Sequence, residues 1–268
     1  MENNTTTEET KTYTYSYPHP AVTCDCVVLG FDGQDLKVLL VLRGVDPYKG
    51  CWALPGGFMR EQETIEECAI RELREETHLE LSSLKQFHLF SAVDRDPRGR
   101  VVTMAFYALV KHQSVRGGDD AEKAQWFPIG QLPDLAFDHA EIIQTAMTQI
   151  RKDIHFEPIG FDLLDETFTI PQLQRLYEVI LEKRFDRRNF QKKMMQIGLI
   201  EQVDKFDENE IITFDFPDYY GEPCIMRKMD ISELFNTSDK RGRKPNVFRF
   251  DKEKYVKWKS DNSFRLEF

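Results

Sequence analysis

Residues 71–79, RELREETHL, set Glu72, Glu75 and Glu76 three and four positions apart. On an α-helix those spacings bring three carboxylates to neighbouring positions of one face. Adjacent carboxylates repel, so they stay ionised at low cost only in water or around a cation. Sites for Mg²⁺ take this form: a few carboxylates, completed by water and by phosphate oxygens of a substrate. Arg71 stands four before Glu75 and can pin it, while Ile65, Cys68, Ala69 and Leu73 line the opposite, anchoring face. A solvated, charge-laced helix would carry the same triplet, so the triplet alone leaves both readings open.

The flanking residues shift that balance. From Gly57 the chain reads GFMREQETIEECAIRELREETHL: glycine, five residues, Glu63, seven residues, then Arg71-Glu72-Leu73, Glu75-Glu76 and Leu79. Preceded by WALPGG at 52–57, this pattern resembles the signature of the Nudix hydrolases at every fixed position but one, where His78 replaces glycine. DRDPRGR, AEKAQWFPIGQLP and LAFDHAEII look like the branch that handles ADP-ribose, and the likeness spans most of residues 20–155. The resemblance implies an α/β/α sandwich in which Glu72, Glu75 and Glu76, with the Gly56 carbonyl, hold Mg²⁺ or Mn²⁺. It gives Glu63 the task of orienting the helix with Arg71. The implied reaction is attack of water on a nucleoside diphosphate linked to another group, with the proton taken by a carboxylate. Glu76 is one candidate base. Asp120 and Glu122, in GDDAEKA, are others, though that segment reads equally well as a solvated turn.

His78 bears on how the helix ends. Glycine adopts the left-handed conformation of a helix C-terminus freely, whereas another residue there costs about 1 kcal/mol. Histidine tolerates it better than most residues, and the change removes no carboxylate. The metal site is therefore expected to be intact.

Three arginines, Arg95, Arg98 and Arg100, crowd the DRDPRGR turn. They can clamp phosphate or ribose, or pair with Asp94 and Asp96. Phe58 and Trp52 can stack on adenine or pack in the core. Asp138 is expected to cap the helix that follows it.

The elements that must position these residues are legible in outline. AVTCDCVVLGFD and LKVLLVLRG around Asp32-Gly33 read as a hairpin. A helix is expected over about 64–77, strands at 87–93, 101–110 and near AQWFP, and a closing helix before residue 155. Cys24 and Cys26 alternate in the first strand as core thiols, and none of the five cysteines forms a CxxC pair, which suits a reducing, cytoplasmic setting. No apolar run approaches the roughly 20 residues needed to cross a bilayer, so no membrane partner is expected. Residues 1–19 are expected to form a disordered tail, and residues 20–157 the first domain.

Beyond that the chain changes character. PQLQRLYEVILEK has the apolar spacing of one helix face, and DRRNFQKKMMQIGLIE follows as a second helix, a helix-turn-helix arrangement. Arg187, Arg188, Lys192 and Lys193 lie at its start, with no acid from 187 to 200. Residues 202–236 form an acidic insertion, and KRGRKPNVFRF brings Arg241, Arg243 and Lys244 before a strand. The net charge of −10 argues against a nucleic-acid-binding surface over the whole molecule but allows a local basic patch. FTIPQLQRLYEVI, RRNFQKKMMQIGLI and GRKPNVFRF together resemble the winged-helix domain of the Nudix-related transcriptional regulators of NAD metabolism. This implies a DNA-binding domain over residues 158–268, its recognition helix in the major groove, and a homodimer on operator DNA.

Three functional readings follow. The first is a hydrolase of ADP-ribose-like substrates coupled to DNA-binding regulation. The second is an ADP-ribose-sensing regulator with an idle pocket. The third is a plain hydrolase whose C-terminal part supports oligomerisation.

Overall fold

Strand β1 (Ala21–Phe31) is buried at every position from Thr23 to Phe31. A strand with one face in water would alternate, so both faces of β1 are covered. In the computed structural model it occupies the middle of a seven-stranded sheet with main order β3-β2-β1-β6-β5. The structure describes residues 14–81, 84–112, 121–157, 159–160, 162–203, 211–217, 223–227, 246–261 and 266. Asp120, Arg241, Arg243 and Lys244 lie outside the described residues, as do the side chain of Glu122, most of the expected tail and most of the acidic insertion.

The sheet is built from β1, β2 (Leu36–Arg43), β3 (Trp52–Ala53), β4 (Gly56–Phe58), β5 (Lys85–Phe90), β6 (Val101–Lys111) and β7 (Ala121–Pro128). Asp32 closes the turn between β1 and β2, its Oδ1 accepting the backbone N–H groups of Gln34 and Asp35 at 2.9 and 2.8 Å. Strand β5 stops at Phe90, short of the expected Val93, and Val93 is exposed. Helix α1 (Ile65–Thr77) begins with a capping box between Thr64 and Glu67 and buries Cys68, Ala69 and Leu73. Helix α2 (His139–Asp153) buries Ile142, Ile143, Ala146, Met147 and Ile150. Cys24, Cys26 and Cys68 are all free and fully buried.

Contacts divide the chain into two compact units. The first comprises Met1–Leu29, Val38–Ala108 and Gln113–Thr148, and the second Gly30–Lys37, Leu109–His112 and Gln149–Phe268. In the second, α3 (Ile170–Leu181) and α4 (Arg187–Ile197) bury Leu173, Leu176, Tyr177, Ile180, Phe190 and Met194. Asp186 caps α4, and Gly198 ends it in a left-handed conformation. The three-stranded sheet β8-β12-β9 pairs Phe168–Thr169, Val247–Phe250 and Ile200–Gln202 antiparallel. Between β9 and β12 the acidic insertion contributes an antiparallel pair, β10 (Ile211–Pro217) and β11 (Pro223–Arg227). Helix α5 (Lys252–Asp261) follows β12. The first unit is mixed α/β, and the second carries the helix pair α3 and α4 with a small antiparallel sheet. Among the described residues, no helix is long and apolar enough to cross a membrane.

Helix α1 ends at His78, whose φ and ψ are 58° and 19° and whose N–H donates to the Arg74 carbonyl. Replacing His78 with glycine should raise stability by about 1 kcal/mol, because glycine holds this conformation without strain, and a β-branched valine should lower it. Urea denaturation checks this; equal midpoints for the parent and both variants would contradict it.

Candidate active site

Arg71 is the hub of the acidic face of α1. Its Nε and Nη2 donate to the two oxygens of Glu63 at 2.8 and 2.6 Å. Nη1 donates to Glu72 Oε1 at 2.7 Å and Glu75 Oε2 at 3.0 Å, and Nη2 also reaches the Phe58 carbonyl at 3.2 Å. One guanidinium therefore binds the loop before the helix and offsets the repulsion between two carboxylates. It also holds the Glu63 carboxyl down at about 2.

The loop from Trp52 to Phe58 carries the other half of the site. Ala53 and Trp52 pair with Val41 and Leu42 of β2, after which Gly56 and Gly57 pair with Asp25 and Cys24 of β1. A side chain at Gly56 would overlap the Cys24 carbonyl, and one at Gly57 would overlap the Glu72 carboxylate. Gly56 is needed for close approach to backbone, whereas a side chain at Gly57 would displace the Glu72 carboxylate. The Gly56 N–H donates to Glu76 Oε2 at 3.0 Å. Burial pushes the Glu76 carboxyl up to about 8, against the pull of that hydrogen bond, and Glu72 and Asp25 push in the same direction. Burial likewise raises Glu72.

Glu72, Glu76, Gly56 and Gly57 line a cavity of about 410 Å³. Among the described residues no three acidic, histidine or cysteine side chains form a ready-made metal cage. Glu75 is taken by Arg71, with Arg60 at 3.6 Å. Two desolvated carboxylates beside an open cavity nonetheless suit a hard divalent cation, which keeps water and takes substrate phosphate oxygens as its remaining ligands. The donor set fits.

The same cavity has a cationic, aromatic part, in which Arg98 and Phe58, both expected from the sequence, are joined by Arg43 and Phe137, which were not. Arg43, at the end of β2, lies 4.9 Å from the centre of the Phe137 ring and donates from Nε to the Pro47 carbonyl at 2.8 Å. Arg98 lies 4.8 Å from the Phe58 ring and 5.5 Å from Phe137, and pairs with Asp96 at 2.7 Å. Phe137 and Tyr48 both have positive φ and meet edge to face at 4.7 Å. Bulky residues in that conformation are strained, and such strain gathers at functional sites. The signal for Arg43 was its place at the end of an apolar strand. Phe137 and Tyr48 gave none, because backbone strain leaves no mark in residue type.

The remaining candidates fall at different distances from this cavity. Arg95 lines it, but its guanidinium is directed to carboxylates: Nε and Nη2 donate to Asp138 at 2.9 and 2.7 Å, and Nη2 to Asp25 at 3.3 Å. The Asp138 carboxylate thus meets Arg95 where a cap was expected, while its carbonyl accepts the N–H groups of Glu141 and Ile142 in the first turn of α2. Arg100 donates to the Ser91 and Ala92 carbonyls. Trp52 packs edge to face on Phe127 at 4.6 Å. On α4, Arg187, Arg188 and Lys192 are exposed, while Lys193 is partly covered.

Comparison with known proteins accounts for both units. Residues 19–146 match the NUDIX domain, and residues 160–211 match the NrtR DNA-binding winged helix domain. The ADPR responsive transcriptional repressor NtrR of Acinetobacter baylyi is 31% identical over 69% of this chain and 76% of its own length. The ADP-ribose pyrophosphatase of Methanocaldococcus jannaschii is 44% identical over 44% of this chain and 70% of its own. The crystal structure of Shewanella oneidensis NrtR complexed with a 27mer DNA superposes with a TM-score of 0.65 at 27% identity, covering 91% of this chain and 97% of that one.

Arg95, Asp25 and Asp138 test the framework beneath the cavity. Arg95 and Asp25 are 8% and 7% exposed, so removing the cation strands buried negative charge. Arg95→Met should cost about 3–5 kcal/mol of stability by chemical denaturation. A loss under 1 kcal/mol would show the carboxylates to be solvated.

Proposed function

We propose a function from one premise: the chain belongs to the Nudix family. In this reading it hydrolyses the pyrophosphate of ADP-ribose or a related nucleoside diphosphate derivative, using Mg²⁺ or Mn²⁺. Its second unit binds operator DNA as a homodimer in the cytoplasm, so that substrate and effector are one compound. The supporting observation is a single cavity in which two desolvated carboxylates, Glu72 and Glu76, meet two arginines, Arg43 and Arg98. That charge distribution suits a diphosphate joined to a cation.

Glu72 and Glu76 would hold the cation, with Glu75 and the Gly56 carbonyl as further ligands on the family pattern. A divalent cation, when bound, neutralises the diphosphate and lowers the pKa of water. Arg43 and Arg98 would bind phosphate oxygens, and Phe58 would pack against the base or sugar. Arg95 would support this wall from beneath. Arg71 and Glu63 fix the helix that presents the carboxylates. Glu76 keeps one oxygen on the Gly56 N–H, which leaves the other for the cation or for a proton from water. Asp120 and Glu122 are the alternative bases.

In the second unit, Arg187, Arg188, Lys192 and Lys193 would meet the major groove and its phosphates, and Arg241, Arg243 and Lys244 the adjacent backbone or minor groove. The likeness to a repressor over most of the chain favours one second reading, ADP-ribose sensing with an idle site.

Full-length protein with Mg²⁺ or Mn²⁺ should convert ADP-ribose to AMP and ribose 5-phosphate, and Glu76→Gln should reduce kcat by about 10²–10⁴-fold. No AMP from the parent at high enzyme concentration would leave the sensing reading. Arg188→Ala and Lys192→Ala should each weaken DNA binding across sequences and lower the salt slope by about 1. Unchanged affinity would remove α4 from the interface.

A further inference from the structure

We infer that His139, kept in one tautomer by Asp25, is a positioning residue that fixes the Leu54–Gly57 loop against Glu76. The inference rests on the hydrolase reading above for its catalytic consequence, though not for its geometry.

The loop changes partners at Leu54. Ala53, before it, pairs with β2, and the carbonyl of Pro55, after it, accepts the Cys26 N–H of β1 at 2.8 Å. At that crossover the Leu54 N–H finds its acceptor in a side chain: it donates to His139 Nδ1 at 2.8 Å. His139 is the first residue of α2 and 4% exposed. The preceding residues brace the same loop, since the Ala136 N–H donates to the Trp52 carbonyl at 2.8 Å. Two residues beyond Leu54, the Gly56 N–H reaches Glu76.

For Nδ1 to accept, the imidazole proton must sit on Nε2. Asp25 Oδ1 lies 3.4 Å from Nε2 and favours that arrangement. Asp25 is held by Arg95, and Arg95 by Asp138, the neighbour of His139 in sequence. Burial lowers the proton affinity of the ring, which keeps it neutral and able to accept. The opposite tautomer would set two N–H groups against each other and push Leu54 off. A loop displaced there would carry Gly56 away from Glu76. His139 touches neither cation nor substrate in this account, and acts through the loop.

Full-length His139→Leu and His139→Asn separate positioning from bulk packing, because asparagine can return an acceptor oxygen to the Leu54 N–H. Two readouts are needed: Mn²⁺ affinity from the free-ion electron paramagnetic resonance signal, and kcat and KM with ADP-ribose. His139→Leu should lose about 10–100-fold in Mn²⁺ affinity and in kcat with KM unchanged, and His139→Asn should recover most of both. Parent-like values for His139→Leu, or equal losses in both variants, would overturn the inference. Parent protein that binds Mn²⁺ with this dependence but yields no AMP would defeat the hydrolase reading and leave the positioning role standing. Should His139→Leu fail to fold, ¹⁵N imidazole spectra of the intact parent decide: protonated Nε2 coupled through Nδ1 to the Leu54 amide supports the inference, and protonated Nδ1 overturns it.

Discussion

Carboxylates taken partly out of water must find positive charge or N–H groups, and the first unit is organised around that constraint. Arg71 meets Glu63, Glu72 and Glu75 with a single guanidinium, which a lysine ammonium could not do with the same fork of donors. Glu76 receives only a backbone N–H from Gly56, so its charge is the least compensated of the set. The consequence is a proton affinity far above that of an exposed carboxylate. A divalent ion is the partner that would relieve it. Burial and repulsion, which weaken a surface helix, here create a place for a cation.

The same logic extends beneath the site. Asp25 is the single charged residue in a strand otherwise apolar, and it survives burial because Arg95 and His139 both face it. Truncating one member of such a network strands the others, so the strand, the DRDPRGR turn and the start of α2 are tied in one electrostatic unit. The loop over Glu76 is attached to that unit by its backbone pairing with β1 and, at Leu54, by the hydrogen bond to His139. Catalytic geometry and fold stability therefore share residues, and some substitutions will affect both.

Much of this was legible in the chain. Helix periodicity made Glu72, Glu75 and Glu76 visible as a shared face, with Arg71 four before Glu75, whereas Glu63, which precedes the helix, was visible only through the resemblance to the Nudix signature. The left-handed end of the helix at His78 was readable for a local reason as well. Asp138 was misread as a cap because its partner, Arg95, is 43 residues away in sequence and only the fold brings them together. The positive φ of Phe137 left no mark in residue type, and the contact of His139 with Leu54, 85 residues away, is likewise made only by the fold. In the second unit, amphipathic spacing disclosed α3 and α4, whereas the β10–β11 pair inside the acidic insertion gave no pattern that its composition did not obscure.

The central claim is that Glu72 and Glu76 are desolvated in order to grip a cation against a diphosphate. Anomalous diffraction from crystals soaked with Mn²⁺ and a non-hydrolysable ADP-ribose analogue tests it most directly. The account requires a manganese peak within bonding distance of both carboxylates and of a phosphate oxygen. A nucleotide bound in the cavity with no ion beside Glu72 and Glu76 would contradict it.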